Sequence, residues 1–198
     1  MKILGIIPAR GGSKGVPNKN VKYLNGKPLI AYTAEVALKS KLLSKVIVST
    51  DDEKIAEVSR ALGLDVPFMR PPNLAEDASP TLPVVKHALE FFKNKGESFD
   101  AVCLLQVTSP MRTLDLLEQC LLKFISNKHD SLISVIKVED HFNPHWMFKE
   151  NNEGGLFVAT GEKKIIPRRQ ELPNAFYRDG SVYITKSNVI VNEGSTSL

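Results

Sequence analysis

Apolar residues arrive in short runs, separated by stretches in which they recur every three or four positions. The runs KILGIIPA (residues 2–9), KVIVST (45–50), VPFM (66–69), AVCLLQV (101–107) and SLISVIKV (131–138) have the length and β-branched content of buried strands. Between them the spacing predicts helices near 29–42, 52–62, 81–95 and 114–126. In the third, Leu82, Val85, Leu89 and Phe92 fall on one face, and in the fourth Leu114, Leu117, Leu121 and Phe124 do the same. Strand and helix in alternation predict an α/β domain with a mainly parallel sheet covered on both faces.

Polar punctuation follows the strands: ARGGSKG after the first, STDD after the second, RPP after the third and QVTSPMR after the fourth. Ligands of such sheets bind beyond the carboxyl ends of the strands, so these loops are expected to share one rim. From about residue 139 the regularity breaks into a segment rich in Pro, Asn, Gly and charge, running to about 176. It reads as an excursion from the core, either a small lobe or an oligomer contact. FYRDGSVYITKSNVIV then resumes β character, with Asp179-Gly180 suited to a tight turn. The 198 residues are otherwise expected to form one domain, with 42% apolar content sufficient for a full core.

Charge sharpens the rim. The first 34 residues hold six basic side chains and no acidic one, whereas residues 35–198 hold the other 20 of 26 basic residues against all 22 acidic ones. The net charge of +4 is therefore a local property of this N-terminal region, which carries the loop IIPARGGSKGVPNKN, residues 6–20. There Arg10, Lys14 and Lys19 stand four to five residues apart around Gly11, Gly12 and Ser13. Glycines let backbone approach phosphate oxygens, Arg offers a planar fork and Lys a movable point charge. At an effective dielectric near 20, one charge pair about 4 Å apart gains roughly 4 kcal/mol before desolvation. The spacing matches neither the P-loop nor the GxGxxG dinucleotide fingerprint. A solvated glycine turn with surface lysines is the competing reading.

Other candidates carry two readings each. Asp51 or Asp52 is expected to cap the helix after the second strand. Arg70 leaves a strand on the rim and precedes a Pro-stiffened loop with Asp77, Ser79 and Thr81, so it serves either a ligand or the surface. Gln106 sits in an apolar strand and needs partners, in a core network or on a ligand. Cys103 and Cys120 lack paired spacing and read as reduced core thiols. His141 and His145 are separated by Pro144, which argues against a helical metal pair. No GxSxG elbow or Cys/His pairing anchors covalent hydrolysis. The basic balance lacks an aromatic-interleaved stripe, which argues against nucleic acid. No apolar run approaches a membrane span and no signal peptide is evident, so cytoplasmic residence is expected.

At IIPARGGSKGVPNKN, LNGKPLIAYT, VIVSTDDEKIA, RPPNLAED, LLQVTSPMR and PRRQELPNAFYRDGSVYI, in that order, the chain resembles the acylneuraminate cytidylyltransferases, or CMP-sialic acid synthetases. The resemblance implies the three-layer α/β/α nucleotide-diphosphosugar-transferase fold, usually dimeric, with residues 139–176 as the dimerisation excursion. It implies joining CTP to a nonulosonic acid with release of pyrophosphate and help from Mg²⁺. By resemblance Arg10, Lys14 and Lys19 hold the triphosphate with Gly11, Gly12 and Ser13. Asn20, Arg70, Ser79 and Thr81 surround the nucleotide, and Thr81 stands where serine is familiar. Gln106, Asp179 and Tyr183 would face the sugar with the basic pair Arg168 and Arg169, the latter also catalytic. Asp179 replaces the asparagine usual at its turn, and a lysine some relatives carry near HFNPHW is missing. The family continues past the position of Leu198 into a DxD-like pair of aspartates that hold the metal, so no metal ligand is assigned. A CTP-binding module without turnover, and a glycosyltransferase of related fold, are the competing classes.

Overall fold

A computed structural model describes residues 1–12, 15–76, 79–127 and 129–192. The chain enters through β1 (Ile3–Pro8), makes the small hairpin β2 (Tyr23–Leu24) and β3 (Lys27–Pro28), and continues into α1 (Leu29–Lys39) and β4 (Lys45–Ser49). Asn25 and Gly26 both take positive φ at that hairpin, as a two-residue turn matched to strand twist requires. Next come α2 (Glu53–Ala61), α3 (Thr81–Asn94), β5 (Ala101–Leu104), α4 (Leu114–Ser126) and β6 (Ser131–Lys137). After the short β7 (Phe148–Glu150) and β8 (Leu156–Val158), β9 (Phe176–Lys186) and α5 (Ser187–Asn192) close the described chain.

The main sheet has the order β4-β1-β5-β9-β6. β1 pairs in parallel with β4 and with β5, while β9 returns antiparallel to β5. Period-two alternation splits β1 between two cores. Ile3 and Ile7 join Ile30, Ala34, Leu117, Leu121 and Phe124 from α1 and α4 on one face. Leu4 and Ile6 join Val85, Ala88, Leu89 and Phe92 from α3 on the other. Helices thus cover both faces, as the apolar runs require, and each fully buried Leu or Ile contributes about 1.5–3 kcal/mol of transfer energy. Cys103 and Cys120 are buried free thiols, and burial raises the Cys103 pKa to about 12.

Four sequence expectations change. VPFM is not a strand: only the isolated parallel bridges Ile47–Asp65 and Thr50–Met69 form there, because Pro67 has no N–H to give a ladder. Residues 105–107 leave the sheet, since β5 ends at Leu104. β9 runs unbroken through Asp179-Gly180, with Gly180 at φ +80° inside the strand and no chain reversal. Residues 187–192 are helical, with Val189 and Ile190 buried.

Contacts divide the chain into two compact units, Met1–Ser134 with Gly180–Leu198, and Val135–Asp179. The second unit is built on the antiparallel pair β7–β8, with Phe148 opposite Val158. Asn143, 3% exposed, donates to the Pro173 carbonyl at 2.9 Å, and Trp146 Nε1 donates to Ile166 O at 2.7 Å. Among the described residues no helix is long and apolar enough to cross a membrane.

Candidate active site

Beyond the carboxyl ends of β1, β4 and β5, the first unit opens a cleft of about 290 Å³. That volume sits at the small end of ligand pockets. Seven of the residues singled out from sequence line it: Arg10, Lys19, Asn20, Arg70, Ser79, Thr81 and Gln106. Among the described residues the lining holds Arg10, Lys19 and Arg70 against one acidic residue, Glu76, so it favours an anion.

Each wall has a local cause. The first loop is fixed by Asn20, 5% exposed, whose Nδ2 donates to the Arg10 carbonyl at 2.8 Å. Its neighbour Gly11 donates its N–H to Asp51 Oδ1 at 3.1 Å. A Cβ on Gly11 would lie 2.7 Å from Asp52 Oδ2 and 2.9 Å from Asp52 Cβ, so this glycine is required by close approach. The two aspartates have separate tasks. Asp52 caps α2 by accepting from Ile55 N at 2.9 Å, as capping chemistry predicts, while Asp51 steadies the loop. Ser13 and Lys14 lie outside the described residues, as does Asp77.

Arg70 belongs to the interior, not to the open surface. It is 5% exposed, its Nε donates to Ser49 Oγ at 3.1 Å and its Nη2 donates to the Ser49 carbonyl. Burial lowers its pKa to about 10; Asp51 opposes that shift and Arg10 adds to it. The guanidinium therefore remains charged at neutral pH, in a partly desolvated setting where an anion gains more from it than in water. Arg10 reaches across the cleft mouth, its Nη1 donating to the Glu76 carbonyl at 2.8 Å.

The start of α3 lines the same cleft. Its N-cap residue is Pro80, which supplies no side-chain cap, and Thr81 and Val84 of the first turn line the cleft. Open N–H groups and the positive end of a 14-residue helix add to the anion preference. Ser79 Oγ donates to the Asn73 carbonyl at 3.1 Å. Gln106 and Thr108 complete the edge, with Thr108 Oγ1 and Gln106 Oε1 3.4 Å apart.

The other expected site residues are placed elsewhere. Gly12 lies on the loop with open space around it. Tyr183 is 5% exposed and packs in the second core with Leu4, Ile6 and Leu104, away from the cleft lining. Arg168, Arg169 and Asp179 belong to the second unit, where Arg169 Nε meets Asp140 Oδ2 at 3.1 Å and Arg168 Nη1 meets Glu171 Oε1 at 3.7 Å. Among the described residues no group of three or more His, Cys, Asp or Glu side chains could hold a metal ion. These residues do not provide a magnesium site of their own.

Sequence reasoning missed Arg112, which is 4% exposed beneath the cleft edge. It also missed the backbone carbonyl of Glu76 as a partner of Arg10. The first had a signal, a charged residue closing QVTSPMR just before a helix; the second had none, because a carbonyl has no sequence identity.

The family model described as cytidylyltransferase matches residues 4–188. The pseudaminic acid cytidylyltransferase of Campylobacter jejuni is 38% identical over 193 residues, covering 98% of this chain and 82% of the relative. The CMP-N,N'-diacetyllegionaminic acid synthase of Legionella pneumophila is 35% identical, with coverage of 98% and 82%. The N-acylneuraminate cytidylyltransferase of Streptococcus agalactiae is 34% identical, with 98% of this chain covering 46% of that protein. Among solved structures, a CMP:2-keto-3-deoxy-manno-octonic acid synthetase complexed with CTP superposes with a TM-score of 0.74 at 20% identity, covering 98% of this chain and 78% of the other. The 4-diphosphocytidyl-2C-methyl-D-erythritol synthase of Anaerococcus prevotii gives 0.63 at 11% identity, covering 93% and 71%. At such identities the structures speak for the fold alone.

Proposed function

The chain belongs to the cytidylyltransferase family, and from that premise we propose that it activates a nonulosonic acid with CTP, giving a CMP-sugar and pyrophosphate. The observation that carries the proposal is the cleft, which gathers Arg10, Lys19 and Arg70 with Asn20, Ser79, Thr81 and Gln106 at the carboxyl ends of parallel strands.

The anomeric hydroxyl of the acid attacks the α-phosphorus of CTP. A new P–O bond forms, the bond to pyrophosphate breaks in line with it, and the hydroxyl proton passes to solvent. Such a reaction asks the protein mainly for position and charge. Arg10 and Lys19, with Lys14, grip the triphosphate and stabilise the charge that builds on pyrophosphate. Arg70 supplies a fixed buried cation beside the nucleotide, and Asn20 keeps the loop in register. Gln106 faces the acid. When bound, Mg²⁺ would add charge neutralisation on the phosphates.

The acceptor is an N-acylated nonulosonate, and the names of the relatives divide that class into pseudaminic, legionaminic and neuraminic acids. Incubation with CTP, Mg²⁺ and each acid in turn, with the CMP-sugar identified by mass spectrometry, tests the proposal. One acid is expected to give product with matching pyrophosphate. Binding of CTP without product from any member would overturn turnover and leave a nucleotide-binding module.

A second copy of the chain is the proposed partner of the second unit. That unit leaves Phe142, Leu156, Phe157, Phe176 and Tyr177 each about half exposed or more, apolar area that a second copy would cover. Sedimentation equilibrium is expected to give twice the chain mass, and Leu156→Asp with Phe157→Asp to shift it toward the monomer. A monomer in the parent protein would refute the pairing.

A further inference from the structure

Arg112 sits at the end of QVTSPMR and is 4% exposed. Each nitrogen has an oxygen partner on a different part of the first unit. Nε donates to the Ser181 carbonyl of β9 at 2.6 Å, Nη1 to Thr33 Oγ1 of α1 at 3.1 Å, and Nη2 to the Gln106 carbonyl at 2.8 Å. Thr33 is itself 1% exposed. A planar fork sets these oxygens at fixed separations, which a flexible ammonium cannot do. The same loop is held a second time, where Ser109 Oγ donates to the Gly180 carbonyl at 3.0 Å. At Gly180 an added Cβ would lie 3.3 Å from Ser109 Oγ and 3.9 Å from Gln106 Oε1, so the loop rests directly on β9.

From this geometry we infer that Arg112 is a positioning residue for the acceptor side of the cleft, holding Gln106 at its edge through the Gln106 carbonyl. Arg112 does not line the cleft and touches neither reactant; it acts through the residue that does. The inference rests on the reading of Gln106 as the group facing the sugar acid. Its specific consequence is a separation of effects. The three hydrogen bonds of the guanidinium go to β9, α1 and the Gln106 carbonyl, so loosening it is expected to act on the acceptor side before the nucleotide side.

Steady-state kinetics on the full chain with Arg112→Lys, Gln106→Ala and the double variant provide the test. Arg112→Lys is expected to raise the KM for the acid about tenfold or more while the KM for CTP stays within about twofold, since misplacing a binding group by about 1 Å costs that much. In the Gln106→Ala background Arg112→Lys is expected to add nothing further to the acid KM. Equal losses on both substrates, or additive losses in the double variant, would mean a general structural role and overturn the inference. Hydrogen exchange of amides 105–112 in Arg112→Lys is expected to quicken while β1 is unchanged. If the parent makes no CMP-sugar at all, the function reading falls, and this exchange alone decides the positioning claim, an unchanged loop refuting it. If Arg112→Lys does not fold, Thr33→Val removes only the Nη1 acceptor and is expected to raise the acid KM about threefold; no change there overturns the inference.

Discussion

Arg70 and His87 show how single side chains acquire properties that a sequence position does not reveal. For Arg70 the sequence allowed a ligand role or an open surface; burial against Ser49 removes the open surface, and the strand-end position was the legible part. The cations of the first loop were legible because six basic residues without a compensating acid form a pattern along the chain. Lys19→Ala is expected to lower turnover by about 10² to 10³, and kinetics showing less than about a twofold loss would remove Lys19 from the mechanism. His87 was not singled out at all. Its Nδ1 is buried with no hydrogen-bond partner among the described residues, and its ring meets Phe68 edge-on at 4.6 Å. Burial lowers its pKa, with Glu90 opposing and Arg70 adding to the shift. A lowered histidine pKa means the unfolded chain takes the proton first on acidification. Stability from this residue is therefore complete above the ordinary value near 6.5 and falls as pH drops below it. Between pH 7 and pH 5 the melting temperature of the parent is expected to fall further than that of His87→Phe; equal falls would reject the assignment.

Elements were legible wherever periodicity and capping agreed. α2 follows Asp52 and α4 follows Thr113, whose side chains accept from Ile55 N and Leu116 N. The misreadings arose where tertiary pairing overrode local character. Residues 66–69 look like a strand but Pro67 denies them a ladder, and Val189–Ile190 looks β-like yet buries on a helix. Asp179-Gly180 has turn chemistry, but β5 holds the later part of β9 in an antiparallel ladder from Tyr183 to Lys186. Gly11 joins two elements, the loop after β1 and the cap of α2. Gly11→Ala is expected to displace Asp52, costing about 1 kcal/mol or more in urea unfolding. Asp52→Ala should cost about the same, and in the Asp52→Ala background Gly11→Ala should cost little, since the clash partner is gone. Full additivity would show that the two do not share one contact.

At the scale of the whole molecule, layering follows from alternation in β1 and from the helical faces of α1, α3 and α4, and this much could be read from the chain. What could not be read was how far the cleft depends on three-dimensional register. Arg10 follows β1, Arg70 lies between α2 and α3, Thr81 opens α3 and Gln106 follows β5, and only the sheet order brings them to one cavity. The central claim is that this cavity transfers the α-phosphorus of CTP to a sugar acid. CTP labelled at the α-phosphorus, incubated with the acid that gives product, measures that transfer directly. The expected result is label joined to the sugar, unlabelled pyrophosphate in equal amount, and both slowed together by Lys19→Ala. Label that stays in bound CTP, or leaves it at a rate independent of the acid, would contradict the account.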